Sequence, residues 1–457
     1  MTQTQLFIEE ESQVLSPLSK LSLPKDKDLP PIIREIVTNA PKNRKLASFI
    51  ASLSPLCALC PRVRLKYHYD RRLSALLLQV IIEGAQSSGK SYAADIESLI
   101  MDNTLKARDK EMRRIEQEYR EKKKRRKANE RLDEEPQTTI RVIPPTISKT
   151  VLTKRADMFD RVWGDTMTFW MFAEELAMVC DAGKSGYSNL RTIMRTAYDL
   201  GSLFGIDFAS DNSYSAIVDI NICTMFCATP AAVDAYYDKA SIEGGNISRC
   251  ILYEMDDALG ADGAIFKPYT EEQMRVINST LQQLMDATYT PDGMLQPTLL
   301  LDMSWLDQTV KHWINSKGVD SSKSGSNALD TFRKRASVNA FRVASLCYYL
   351  YHLEQLSDEQ AQKRARQIYL YMAEYLLETI INRWGKRFTE ANNKRQQDNK
   401  QDKRPVLFDT LPEVFSRELL KEKIIAQGLT TPVREFICMW KNKKLIHIID
   451  KNTCKKC

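Results

Sequence analysis

The chain has 457 residues, too many for one small core, and its apolar (43%) and charged (27%) fractions are those of an ordinary soluble globular chain. No apolar run approaches the roughly 20 residues that cross a bilayer, and the polar, acidic start MTQTQLFIEEESQ lacks the features of a secretory signal, so a cytoplasmic protein with no membrane partner is expected. The formal charge is only +7, but residues 383–457 hold 18 Lys+Arg against 9 Asp+Glu, a local +9 that leaves 7 − 9 = −2 for the rest. A basic end on a near-neutral body suits an acidic partner, most simply nucleic acid.

In chain order, residues 1–28 read as a loose polar arm and 29–75 as a helical segment opened by Pro30 and Pro31. Residues 61–75 are basic and aromatic. An apolar run, Leu76 to Ile82, has the length of a buried strand and starts a domain that extends to residue 269. Residues 106–135 are almost devoid of apolar side chains but rich in acid–base pairs such as Arg114/Glu118, and predict a long exposed helix inserted in that domain. Four more strands are expected at Thr138–Ile143, Thr168–Ala173, Ile217–Ala228 and Cys250–Glu254, giving an α/β fold with a parallel sheet of about five strands and crossover helices. Residues 270–388 read as a helical domain with little strand signal. Residues 389–404 read as a polar linker, and 405–457 as a small winged-helix-like module: a helix, a turn at Gly428, a helix from Pro432 and a strand LIHII. Arg434, Lys441, Lys443 and Lys444 are its candidate phosphate contacts, with Trp440 among them as a core residue.

The chemistry centres on Gly84, Ala85, Gln86, Ser87, Ser88, Gly89, Lys90 and Ser91, which fit G-x-x-x-x-G-K-[ST] between a strand and a helix expected over residues 91–105. Glycines allow backbone N–H groups to wrap a phosphate. Lys90 is placed to reach the β- and γ-phosphates, Ser91 to bind Mg²⁺, and the helix to present its positive end to the same anion. ATP and Mg²⁺ are the expected ligands, and Tyr92 is included in the binding set. Hydrolysis also needs a carboxylate, usually at a neighbouring strand end. Glu174 and Glu175 follow TFWMFA at such a place: Glu174 is assigned to the Mg²⁺ shell and Glu175 to polarising water, although both residue types also suit a helix start. Thr229 in CATP is a candidate γ-phosphate sensor or a helix cap before Pro230. Arg249, after a Gly-Gly turn, is a candidate to stabilise transition-state charge in its own or a neighbouring subunit, or a surface ion pair. Arg333, Lys334, Arg335 and Arg342 follow the core without an assigned role.

The stretches PPIIREIV, the phosphate loop, RVIPPTISKT, FAEEL, RTAYD with DNSYS, CATPAAV and GGNISRCILYE resemble a P-loop family of bacterial mobile elements, a domain of unknown function related to the helicase part of primase–helicase proteins. The likeness spans roughly residues 29–260. It implies a RecA-like ATPase core, a homo-oligomer with the hexamer as one form, and action on DNA in replication or mobilisation beside a primase or other replication proteins. Two departures stand out: no primase module is present, and Gln86 and Ser87 replace a Pro and Gly common in that family. An ATP-hydrolysing, helicase-like DNA motor is the expected function. The alternatives are an ATP-switched, DNA-binding initiator or regulator, and an ATPase acting on protein partners.

Overall fold

The computed structural model describes residues 21–126, 134–179, 190–207, 214–237, 245–255, 265–324, 326–400, 407–427, 432–442 and 445–456. The expected turn at Gly428 and the side chains Lys443 and Lys444 lie outside these residues, as does most of the N-terminal arm. The helices are α1 Pro31–Asn39, α2 Lys45–Ala58, α3 Tyr92–Met101, α4 Ala107–Arg125, α5 Lys149–Trp163, α6 Leu190–Thr196, α7 Pro230–Tyr236, α8 Glu271–Asp286, α9 Asp307–Ser324, α10 Asn327–Leu353, α11 Asp358–Lys400, α12 Arg417–Ala426 and α13 Val433–Asn442. The strands are β1 Val63–Leu65, β2 Ser74–Ala75, β3 Gln79–Glu83, β4 Thr168–Ala173, β5 Leu203–Ile206, β6 Ala216–Asp219, β7 Asn221–Ala228, β8 Cys250–Glu254, β9 Leu299–Leu301, β10 Val414–Ser416, β11 Ile446–Ile448 and β12 Thr453–Lys456. The chain divides into two units, Met1–Phe388 and Thr389–Cys457.

The first unit is organised on a four-stranded, all-parallel sheet in the order β4-β7-β3-β8. Every residue of β3 and β7 is buried, so neither strand shows the apolar–polar alternation of a half-exposed one. Helix α2 packs on β3, β4 and β7, and touches α10, whose second half is buried from Ala340 to Tyr351. On α3, Glu97 accepts a 2.9 Å bond from the Trp170 indole of β4 and pairs with Lys106 at 2.5 Å. Lys106 ends a π-helical segment, Asp102–Lys106, that joins α3 to α4.

Several sequence expectations need correction. The run Leu76–Ile82 is not one strand: Leu76 to Leu78 is a buried link, and β3 begins at Gln79. Thr138–Ile143 is not a fifth strand. Only Val142 bridges to Trp170, because the backbone N–H groups of Arg141 and Val142 both donate to the buried carboxylate of Asp109 on α4. Ile217–Ala228 breaks into β6 and β7 at Ile220, and β6 pairs antiparallel with β5. The helical stretches before and after the core contribute β1, β2 and β9, which form a small separate sheet. Helix α11 continues through most of the expected linker to Lys400. Its Glu, Ala, Lys, Arg and Gln residues have high helix propensity, and propagating an existing helix costs far less than nucleating one.

The second unit has its own core, in which Trp440 of α13 (2% exposed) meets Phe408, Phe415 and Phe436. Its strands β10 and β12, absent from the sequence expectation, pair with β11 in the order β10-β12-β11, all antiparallel.

Candidate functional site

In the parallel sheet all strand C-termini lie on one edge, and the chain leaves β3 at that edge into the Gly84–Ser91 loop. The crossover from β3 runs to one side, toward β4, while β8 lies on the other side of β3. The loop therefore sits beside the topological switch point, where open α/β sheets bind ligands. Gly84 is fixed by donating to the Ala228 carbonyl at 3.0 Å. A Cβ at Gly84 would fall 2.5 Å from Ser88 Oγ and 3.0 Å from Met255 Sδ, so a side chain there would have to displace the Ser88 hydroxyl. Ser87 (φ 59°) and Gly89 (φ 78°) are left-handed and curl the backbone between them. The departure to Ser87 is thus not neutral: a side chain occupies a conformation that favours glycine, a strain on the order of 1 kcal/mol.

Among the described residues no hydrogen bond uses the backbone N–H of Gln86, Ser87, Gly89, Lys90 or Ser91. Five donors in a curled, mostly exposed loop beside a cation form a donor set suited to a polyphosphate. Lys90 Nζ donates to the Gly84 and Ala85 carbonyls at 2.8 and 2.6 Å. Burial pushes its ammonium pKa down, against the attraction of Cys227 and Glu175. Ser91 is exposed at the start of α3, available to a cation. Tyr92 differs: its ring is buried and stacked on Phe266 at 5.6 Å, so its side chain anchors the helix and does not face a ligand.

Glu174 and Glu175 follow β4 directly and are both exposed. The pairing Ala173↔Phe226 and Glu83↔Ala228 brings Glu175 level with the end of β3, two strands away, or ~10 Å in the hydrogen-bonding direction. Cys227 lies between: burial pushes its thiol up to about 12, with Lys90 pulling down and Glu174 pushing up. Lysine and both carboxylates thus share one electrostatic environment. Thr229, at the same edge, caps α7 by accepting from the Ala232 N–H at 3.3 Å, which leaves its own hydroxyl proton free for another partner. Arg249 is not brought to this site. It precedes β8, at the opposite edge of the sheet, ~16 Å along five strand residues from the loop.

Three residues at the loop were not singled out from the sequence. Arg44 donates to the Ser88 carbonyl at 3.3 Å and is 4% exposed. Glu83, the last residue of β3, is buried and 3.2 Å from Arg383 of α11. Arg383 also lies 3.3 Å from Asp234 and 3.6 Å from Glu254. Burial, opposed by Arg383 and aided by Glu254 and Asp234, pushes the Glu83 carboxyl up to about 7. A charged residue closing an apolar strand just before the loop was the available signal for Glu83; Arg383, 300 residues later, had none.

No family model matches the chain, and no curated protein matches it. Among solved structures the chain is similar to one described as "SCCmec type IV Cch - active helicase", with 8% identity and a TM-score of 0.27, over 89% of this chain and 66% of that one. The chain thus spans just under two thirds of that structure's length, and the likeness is too slight to bear on fold or activity. The fold stands on its own description: mixed α/β, with a four-stranded parallel sheet and helical regions. No helix of the described residues is long and apolar enough to cross a membrane.

Proposed function

We propose that the chain is a RecA-like P-loop ATPase that acts on DNA as a helicase-like motor in the replication or mobilisation of a mobile element. The observation that carries this reading is the set of five unpaired loop N–H groups with Lys90, facing Glu174 and Glu175 across one intervening strand. ATP would be held by the loop N–H groups and Lys90, with Mg²⁺ on Ser91 and Glu174. The metal would supply charge neutralisation between the phosphates. Glu175 orients and polarises the attacking water, and Thr229 offers its free hydroxyl proton to the same region. Arg249 is too far from its own loop, so a catalytic role for it belongs to a neighbouring copy's site in an oligomer.

The second unit supports DNA as the partner. Its order of strand, two helices and two strands is winged-helix-like, and Trp440 is committed to the core, which leaves Arg434 and Lys441 of α13 to meet phosphates. A chain ending at Lys400 should keep nucleotide turnover and lose duplex affinity. Ending it at Asn382 would instead remove Arg383 from Glu83 and the buried Trp384 from the first unit. The test of the whole reading is ATP turnover with and without single-stranded DNA. Stimulated turnover supports the motor; nucleotide binding without turnover favours the switch-like regulator; turnover indifferent to DNA favours an ATPase of protein partners.

A further inference from the structure

At the opposite edge of the parallel sheet from the Gly84–Ser91 loop lies a cavity of about 880 Å³, within the range of about 300–1,000 Å³ typical of ligand pockets. One wall is the loop between β1 and β2, with Tyr67, Tyr69, Asp70, Arg71 and Arg72. The facing wall is the start of α10, with Arg333, Lys334 and Arg335, and Asp199 after α6 closes one side. Five cations thus line the cavity with two carboxylates, and two of the five, Arg333 and Lys334, are also paired with Asp330 at 2.6 and 3.0 Å. Arg71 and Arg72 are exposed, and among the described residues no hydrogen bond or ion pair uses their guanidinium groups. Asp199 is already engaged, 3.5 Å from Arg342 and 4.0 Å from Arg335.

The positive charge continues beneath the cavity. The buried Tyr198 ring has three guanidinium groups around it: Arg342 at 4.1 Å, Arg335 at 5.5 Å and Arg249 at 5.6 Å. The Arg249 Nε is buried without a partner. Arg342 is structural, since its Nη1 donates to the Leu77 carbonyl at 2.9 Å just before β3. Guanidinium groups gathered around one ring with a single shared carboxylate repel one another, and an anion entering the cavity relieves that repulsion.

The cavity also carries an aromatic face. Tyr69 is 48% exposed beside Arg333, edge-on to His68 at 4.9 Å and 6.0 Å from Tyr67. Exposed aromatic rings interleaved with cations bind unpaired nucleotides, whose bases stack while their phosphates are neutralised. A concave pocket does not enter a groove as the reading of a duplex requires.

We propose that this cavity binds single-stranded DNA, with phosphates on Arg71, Arg72 and Arg335 and a base on Tyr69. The choice of DNA as ligand rests on the function proposed above; the site rests on its own geometry. The strand would meet the protein at one end of β3 and the nucleotide at the other, with Arg342 holding the first end.

The test is fluorescence anisotropy of a labelled oligothymidylate with the full-length protein, between 50 and 200 mM salt. The double variant Arg71→Ala/Arg72→Ala should bind roughly tenfold or more weakly, with a log–log salt slope shallower by about 1.4, or about 0.7 for each lost phosphate contact on a single strand. Arg71→Lys/Arg72→Lys should retain most of the affinity. Tyr69→Ala should weaken binding roughly tenfold with the slope unchanged, because stacking releases no counterion. A duplex probe should be much less affected by all three variants, and nucleotide binding reports that each is folded. If the intact protein binds the oligonucleotide and the Arg71/Arg72 and Tyr69 variants match it in affinity and slope, the cavity is not the site and the DNA reading stands. An equal loss for duplex and single strand also overturns the proposal, since it would mark a general charge effect. If the intact protein binds neither probe, the DNA reading and the cavity proposal fall together.

Discussion

The two edges of one sheet present opposite chemistry. At the C-terminal edge, backbone N–H groups and a single lysine stand opposite carboxylates, the arrangement on which the proposed nucleotide hydrolysis rests. At the N-terminal edge, guanidinium groups and tyrosines gather with two carboxylates among them, the arrangement on which the proposed single-strand binding rests. The first edge is built largely from eight consecutive residues and two strand ends. The second is assembled from the β1–β2 loop, the segment after α6, the turn before β8 and the start of α10. Reaction needs fixed geometry, which a short loop between a strand and a helix supplies. Holding a chain of phosphates needs only charge of the right sign, which distant segments can pool.

The largest expected effect separates the edges outright. Lys90→Ala removes the cation that compensates phosphate charge, so turnover should fall to background and nucleotide affinity should drop, while single-strand binding at the far edge persists. Turnover and oligonucleotide anisotropy measured on the same preparation decide this. Unchanged turnover would remove the case for the loop as the nucleotide site.

Next in size, Glu175→Gln should hold nucleotide and hydrolyse it about a hundredfold more slowly, the usual scale for a lost general base. Single-turnover rates with saturating nucleotide measure it. A slow Glu174→Gln beside a normal Glu175→Gln would exchange the two roles.

A smaller effect belongs to Glu83. Burial pushes its carboxyl up to about 7 in the folded chain, above the ordinary value of 4.5. A raised carboxyl pKa contributes stability that is fully present below the unfolded value and is lost as pH rises through the folded one. Melting temperature should therefore decline by a few degrees between about pH 5 and 8, and Glu83→Gln should flatten that decline. An identical pH profile in wild type and variant would mean that Arg383 already holds the carboxylate charged.

The smallest effect concerns the backbone. Ser87→Gly relieves left-handed strain but frees the unfolded chain, two terms of about 1 kcal/mol that oppose each other. Thermal melting should shift by no more than a few degrees, with nucleotide affinity kept. A large loss of affinity would show that the Ser87 hydroxyl, and not only its backbone, meets the ligand.

Legibility followed contiguity. β4 and β8 were readable to the residue because each is a short apolar run bounded by polar residues. The place of the Gly84–Ser91 loop between a strand and a helix was readable because glycine spacing marks such a turn. Thr138–Ile143 misled because β-branched residues signal extended backbone, and nothing in their own sequence shows that Asp109, about 30 residues earlier, takes their N–H groups. The α11 extension misled because polarity was read as disorder, although the same residues are good helix formers. Arg383 and the Tyr198 cluster depend on packing between segments far apart in sequence, and periodicity carries no trace of that.

Arg383 is shared by three carboxylates, Glu83, Asp234 and Glu254, with Arg387 a second partner for Asp234 at 2.9 Å. Such a cluster counts protons. If a γ-phosphate draws Arg383 toward itself, Glu83 loses the partner that holds its pKa down, with two like charges still nearby, and near pH 7 it takes up part of a proton from the buffer. Nucleotide binding would then carry a heat that depends on the buffer's ionisation enthalpy, readable by titration calorimetry in phosphate and Tris at one pH. Glu83→Gln should abolish that dependence, and buffer-independent heats in the wild type would mean that Arg383 stays where it is when nucleotide arrives.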